Sequence, residues 1–381
     1  MPELPEVETI ARDLRGLVTG GVIVGVRSDW PATLRSHQPD DFAAAVSGRA
    51  IGGVGRRGKQ LLVWLEPVDP TTERPAGAAV PASAPSGATR GPAAAEPAVM
   101  TVHLKMTGQL FVVPVGTAQD RHVHVALTLA DGRELRFRDI RKFGRIGVYR
   151  RDPETGLPRD GEAVGVLATG PEPLADDFTA GQFAALLTRR RGRLKTLLLN
   201  QDFLAGVGNI YADESLWRAR LHPLREATTV RPDEAGRLYA ALRDVLAEAV
   251  ERRGSSVDDY TAPEGDGSMQ EHLAVYQRAG EPCPRCGRPI RRIVVGGRST
   301  HYCGRCQRLP ADRLDTAAEG ASRAVRRGPR WTELPGEGAI GRTAAEEAAV
   351  AAGAAERARR VAATRKAAAT RRAAARTGAS G

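Results

Sequence analysis

Met1-Pro2-Glu3-Leu4-Pro5-Glu6-Val7-Glu8-Thr9 opens the chain, and its reading decides how everything after it is understood. Val7, Ile10, Ala11, Leu14, Leu17 and Val18 recur at helical spacing, which predicts a helix over 3–18. Glu3, Glu6 and Glu8 crowd its first turns, where the helix dipole favours anions. The plain reading is a helix start, with Glu3 and Glu6 capping and Pro5 opening it. A second reading is chemical. A small residue after Met1 favours loss of the initiator, which leaves Pro2 as a free secondary amine. With an α-amino pKa of about 7.7–8.0, a useful fraction is neutral and nucleophilic at pH 7. Such an amine attacking a sugar C1′ gives an iminium directly, and Glu3 beside it suits general acid and base work. Residue types alone favour the plain reading.

Working outward, short strand signals follow at 22–26, 61–65, 99–104, 122–129, 135–137 and 146–149, with an Asp131-Gly132 hairpin turn among them. One helix and many short strands predict a β-sandwich or barrel over 1–150. Residues 67–98 interrupt it. They are rich in Pro, Ala, Gly, Ser and Thr and read as a disordered insertion in a hairpin. From 151 to 258 the pattern turns helical, with pieces at 183–190, 194–199, 210–220 and 231–253 and a tight turn at Ala205-Gly206-Val207-Gly208. Pro232 near the start and Gly254 past the end frame the last helix. A Gly/Ser/Asp-rich loop covers 254–269, and 309–381 is Ala/Arg/Gly/Glu low complexity, read as a disordered tail.

The four cysteines form Cys283-Pro-Arg-Cys286 and Cys303-Gly-Arg-Cys306, sixteen residues apart. This spacing excludes a disulfide scaffold in favour of a closed tetrahedral zinc site. The stretch 289–302 reads as a β-hairpin around Gly296-Gly297, ringed by Arg285, Arg288, Arg291, Arg292, Arg298 and Arg305. A formal net charge of +11 and a pI near 10.0 point to a polyanionic partner such as nucleic acid. The charge is uneven, because residues 354–381 hold eight Lys/Arg and one Glu, a net of +7. Gross charge says little about the folded part, and the motifs carry the function. No apolar run is long enough to span a bilayer, and the first twenty residues lack the apolar core of a secretory signal. A cytoplasmic, nucleoid-associated protein without a membrane partner is expected.

MPELPEVET resembles the amino-terminal signature of the formamidopyrimidine-DNA glycosylase family, bifunctional enzymes that remove oxidised purines. The match continues in register. Arg56-Arg-Gly-Lys59-Gln-Leu-Leu is similar to the family's catalytic-lysine strand, and His103-Leu-Lys-Met-Thr-Gly108 to the strand bearing a void-filling methionine. Asp139-Ile-Arg-Lys-Phe-Gly144 resembles the loop that reads the opposite strand. Gly206-Val-Gly-Asn209-Ile-Tyr-Ala-Asp-Glu-Ser resembles the helix–two-turn–helix motif, and the cysteine module the family's zinc finger. Together these cover about 1–66 and 99–308. The 67–98 insertion and the tail beyond 308 are departures that touch no matched motif.

The resemblance implies an α+β multidomain fold. An N-terminal β-sandwich with a catalytic N-terminal helix spans 1–150, and a helix–two-turn–helix domain spans 151–258. The end of a lid loop and a β-hairpin zinc finger with one structural Zn2+ span 259–308, followed by the tail at 309–381. It implies Pro2 as Schiff-base nucleophile, Glu3 as proton donor and acceptor, and Lys59 as a second acid or base that also contacts phosphate. Arg298 would donate to a phosphate and assist a second elimination. Met106, Arg141 and Phe143 would fill and wedge the gap left by a flipped base. His122 and Asn209 would contact phosphates, Asn209 from a helix N-terminus suited to anions; Arg191 and Lys195 lie in a basic run from Arg189 to Lys195, read as phosphate contacts with a solvated face as the alternative. Ser268, in a lid over 255–270, would offer its backbone to the base. The expected activity is excision of 8-oxoguanine and formamidopyrimidines from duplex DNA by a monomer, with β,δ-elimination at the abasic site. The alternatives are an endonuclease VIII-like enzyme for oxidised pyrimidines, a non-catalytic zinc-containing DNA-binding protein, and an RNA-binding zinc ribbon.

Overall fold

The computed structural model describes residues 2–35, 37–68, 95–159, 162–163, 167, 170–255 and 267–309. Most of the expected insertion, lid and tail lie outside the described residues.

Helix α1 (Leu4–Val18) begins where expected, with Pro5 in its first turn and the Glu6 carboxylate accepting the Glu3 N–H at 2.8 Å. It is followed by β1 (Ile23–Ser28), α2 (Pro39–Val46), β2 (Arg49–Arg57), β3 (Gln60–Pro67), β4 (Ala98–His103), β5 (Gly108–Pro114), β6 (Val123–Leu129), β7 (Arg133–Asp139) and β8 (Arg145–Arg150). The strands form two four-stranded antiparallel sheets, in the orders β1-β6-β7-β5 and β2-β3-β4-β8. One apolar core joins them. Val7, Ile10 and Leu14 of α1 and Phe42 of α2 pack with Leu61, Val63 and Met100 of one sheet and Val125, Leu127 and Phe137 of the other. This is the expected sandwich. Strand β2 escapes the sequence signals because Gly52, Gly53 and Gly55 interrupt its apolar pattern. A Cβ on Gly53 or Gly55 would meet the Trp64 indole at 2.9 Å, so the glycines admit a close cross-strand aromatic.

The helical body comprises α3 (Ala180–Arg189), α4 (Leu194–Leu199), α5 (Asn209–Arg218) and α6 (Pro232–Glu251). Phe183, Leu198, Phe203, Leu238 and Leu242 fill its core. Leu4, the first residue of α1, packs in this second core and not in the sandwich. The chain's first turn is therefore held by the helical body. Strands β9 (Arg291–Val295) and β10 (Arg298–Tyr302) form the expected hairpin, turned by Gly296 and Gly297 at φ +56° and +74°. Glu214 of α5 secures the approach to it by accepting the Ala274, Val275 and Tyr276 N–H groups at 2.8–2.9 Å.

Candidate active site

The turn before α5 is a socket for the start of the chain. The Leu4 N–H donates to the Gly206 carbonyl at 3.0 Å. Glu3 is buried, and its carboxylate accepts the Ile210 N–H at 3.0 Å and faces the Tyr211 N–H at 3.5 Å. It thus sits on the unsatisfied donors of a helix N-terminus. Glycine is required here. A Cβ on Gly208 would lie 2.3 Å from Glu3 Cδ. Burial raises the Glu3 pKa above the ordinary carboxylate value; the Lys59 charge opposes the rise and Glu6 adds to it. Pro2 is buried beside Glu3.

Lys59 follows the Gly58 turn (φ +57°) between β2 and β3 and is also buried. Burial lowers its pKa. Glu3 and Glu6 pull it back up, and the charges of Arg298 and Lys105 lower it further. A carboxyl whose pKa is raised thus neighbours an amine whose pKa is lowered. The turn is clamped by Glu172, which accepts the Gly58 N–H and pairs with Arg56 at 2.6 Å. Arg56 also bonds Glu8 at 3.0 Å, and Arg57 donates to the Gly170 carbonyl at 2.7 Å.

Glu6 ties its own N-cap residue and two further segments to this point. Its carboxylate accepts the Glu3 N–H, the Tyr211 hydroxyl, and the Ser255 N–H at 2.8 Å. Burial and the Glu6 charge push the Tyr211 phenol well above its usual pKa. Glu6 and Tyr211 lie inside the quoted motifs and Glu172 and Ser255 outside them, and no local pattern announces the contacts of any of the four.

Arg298 is exposed at the turn into β10, close enough for its charge to lower the pKa of both Lys59 and Lys195. Asn209 opens α5, and its side-chain amide donates to the Ser299 carbonyl at 2.9 Å, joining helix to hairpin. Lys195 departs from expectation. It is not a surface cation facing a phosphate. It is fully buried, with Nζ 2.7 Å from Asp213 Oδ1 and 2.9 Å from the Asn209 carbonyl. The other Asp213 oxygen accepts the His301 N–H at 2.8 Å. Lys195 and Asp213 therefore bind α4, α5 and β10 together beneath the site.

The expected reading loop is folded around Asp139. Its buried carboxylate accepts the Thr107 hydroxyl, the Arg141 N–H at 3.2 Å and the Gly144 N–H at 2.7 Å. This joins the loop carrying Met106 to the loop carrying Arg141 and Phe143, and all three side chains are exposed. The Arg141 guanidinium lies 5.6 Å from the Phe143 ring centroid, and the Lys142 ammonium lies 3.9 Å from that of Trp30. His122 is half-buried and Arg191 is exposed. Ser268 also differs from expectation, because its backbone is engaged. Its N–H donates to the Arg252 carbonyl at 3.0 Å, and its own carbonyl accepts the Glu271 N–H at 3.1 Å.

The four cysteine sulfurs lie within 4.8 Å of one another, with Cys286–Cys303 at 3.5 Å and Cys283–Cys306 at 4.0 Å. With Zn–S bonds of about 2.3 Å, tetrahedral sulfurs stand roughly 3.8 Å apart, so this donor set fits one zinc ion. Among the described residues, no helix is long and apolar enough to cross a membrane.

A β-sandwich, a helical body and a four-cysteine hairpin thus meet around the buried Glu3 and Lys59. Three family models match in the same order: the formamidopyrimidine-DNA glycosylase N-terminal domain over 1–146, its H2TH domain over 169–261, and a zinc finger found in FPG and IleRS over 280–309. The chain is 44% identical over 309 residues to a formamidopyrimidine-DNA glycosylase of Chloroflexus aurantiacus, covering 81% of this chain and 98% of that protein. One from Herpetosiphon aurantiacus is 43% identical over 81% and 100%. The crystal structure of MutM (Fpg) from Thermus thermophilus matches with a TM-score of 0.64 and 42% identity over 80% of this chain and 98% of that one. The complex between the Lactococcus lactis Fpg and an abasic-site-containing DNA matches with a TM-score of 0.67 and 30% identity over 81% and 100%. The chain belongs to the formamidopyrimidine-DNA glycosylase family.

Proposed function

We propose that the chain removes oxidised purines, 8-oxoguanine and formamidopyrimidines, from duplex DNA and then cleaves the abasic strand by β,δ-elimination. The observation that carries this reading is the buried Glu3 carboxyl on the N-terminus of α5 with Lys59 beside it. The related Lactococcus lactis structures, with Fapy-dG-containing and abasic-site-containing DNA, support the substrate class.

Loss of Met1 frees the Pro2 nitrogen. That amine attacks C1′ as the bond from C1′ to the base breaks, and the base departs with a proton from the Glu3 carboxyl, whose pKa burial raises. The Glu3 carboxylate then takes the N–H proton of the attached amine and returns it to O4′ as the C1′–O4′ bond breaks, which leaves an iminium that makes the C2′ proton acidic. Lys59, whose pKa burial lowers, or the Glu3 carboxylate takes it as the 3′ phosphate leaves. Arg298 steadies the phosphate that leaves in the second elimination. Met106, Arg141 and Phe143 fill the vacated stack, and Asn209, His122 and Arg191 hold the backbone. Lys195 serves as an internal tie, and Ser268 shapes the root of the lid. Zinc, when bound, closes the knuckle on Cys283, Cys286, Cys303 and Cys306 and supplies no reaction chemistry. The working units are 1–150, 151–258 and 259–308, and the protein acts as a monomer on chromosomal DNA in the cytoplasm.

The test is borohydride trapping on an 8-oxoguanine duplex. A covalent adduct at the amino-terminal proline is expected. An adduct that still forms after the amino terminus is blocked would overturn the assignment, and trapping confined to oxidised pyrimidines would favour the endonuclease VIII-like reading.

A further inference from the structure

Eight arginines lie between residues 278 and 308, and three already have partners. Arg278 pairs with Glu281 at 2.9 Å, Arg285 lies 4.1 Å from the Trp217 ring centroid, and Arg292 donates to Ser299 Oγ at 2.7 Å. Arg298 stands over the site already described. The other four, Arg288, Arg291, Arg305 and Arg308, line one cavity with Pro289 and Gly304 at the knuckle end of the hairpin. All four are exposed, and no acidic residue lines the cavity. Among the described residues, none of the four has a carboxylate partner. Gly304 forms part of the wall, where a Cβ would come within 3.1 Å of Arg291 Nε.

Four like charges gathered in a concavity repel one another unless an anion enters. Guanidinium forks match the tetrahedral oxygens of a phosphate and offer paired N–H donors to it. The same field reaches inward. His222 is held down to about pKa 4, first by burial and then by the Arg291 charge. The cavity is separate from the lesion site. Six residues of nearly extended chain run from Arg298 to Gly304, a reach of at most about 20 Å. At about 3.4 Å of duplex per nucleotide, that corresponds to some six base pairs.

We propose that this arginine cavity is a second phosphate site, which takes a backbone phosphate of the duplex flanking the lesion. The proposal rests on the DNA-repair reading above. It adds an anchor about six base pairs or fewer from the point held by Arg298.

The experiment uses the full chain and the double variant Arg288→Ala/Arg305→Ala, with zinc content measured to confirm that both retain the knuckle. Affinity is measured on abasic-analogue duplexes with flanks lengthened from three to twelve base pairs, across a salt series. The wild type should gain affinity as the flank reaches about six base pairs. The variant should lose that gain, with about tenfold weaker binding on the long duplex and a salt slope shallower by about one per lost phosphate contact. Binding to the short duplex and single-turnover excision at saturating enzyme should not change. An Arg288→Lys/Arg305→Lys variant should recover part of the long-duplex affinity. Equal affinity of the alanine variant and wild type on long duplexes would overturn the proposal, as would an equal loss at every length. Tight binding of inorganic pyrophosphate at the cavity without any flank-length effect would assign it to a free anion and overturn it too. Absence of borohydride trapping in the wild type would instead defeat the repair reading, so the two failures are distinguishable.

Discussion

Glu3 and Ile210 are 207 residues apart in sequence and 3.0 Å apart across a hydrogen bond, from the Ile210 N–H to the Glu3 carboxylate. The contact sets the acid on a helix N-terminus while burial keeps its pKa above the ordinary carboxylate value. Excision that draws a proton from Glu3 should therefore fall as pH rises through that raised pKa. Glu3→Gln should lower single-turnover excision by about 10²- to 10⁴-fold while preformed abasic sites are still cleaved. A pH profile of both steps on one labelled duplex checks this. The linkage has the same sign. The folded state binds more protons than the unfolded chain between about pH 4.5 and the raised value, so Glu3 makes stability fall as pH rises there. Glu3→Gln should flatten that slope.

Asp213→Asn should destabilise the fold more than a surface change would. It removes the counter-charge of the fully buried Lys195, and breaking a buried ion pair typically costs about 3–5 kcal/mol. Urea unfolding at neutral pH measures it. Replacing Lys195 by Met in the same protein should recover part of the loss, since the uncompensated charge goes with it. A change within about 0.5 kcal/mol in the single variant, the scale of ordinary surface substitutions, would refute the tie between Lys195 and Asp213.

Metal analysis should find one zinc per chain. Cys303→Ser should release it and weaken lesion-duplex binding, because Cys303 leads directly out of β10, whose other end carries Arg298. Full affinity after complete chelation would contradict this dependence.

Arg141→Ala should erode the preference for lesions paired with cytosine by about 1–3 kcal/mol, the scale of a lost guanidinium contact to a base edge. Trp30→Ala, which removes the ring under Lys142, should loosen the same loop without touching the acid or the amine. Excision rates opposite cytosine and adenine supply the readout. An unchanged ratio in Arg141→Ala would count against the role.

Much of this site is legible because its chemistry travels in short contiguous runs. Pro2 and Glu3 are adjacent, Lys59 sits in a basic turn, and the cysteines come in pairs. What the sequence hides is defined by distant partners. Glu172 becomes a clamp only because Gly58 and Arg56 arrive from the sandwich, and Glu6 matters because Tyr211 and Ser255 meet it. Lys195 misleads for the same reason. The run from Arg189 to Lys195 displays its charge, but Asp213 lies eighteen residues on. A local sign is present, since Lys195 stands among Leu194, Leu197 and Leu198 on the buried side of α4. Strand β2 is hidden by glycines whose purpose is visible only once Trp64 lies across them.

The socket that receives residues 3 and 4 is made by residues 206–211, and Glu6 is not satisfied until Ser255 arrives. No short contiguous fragment of the chain contains the machinery. Some 250 residues separate Glu6 from the Ser255 N–H that it accepts. A fragment that ends short of residue 206 thus keeps Glu3 but loses the donors that seat it. Seating Glu3 depends on long-range closure, which makes it a late event in folding.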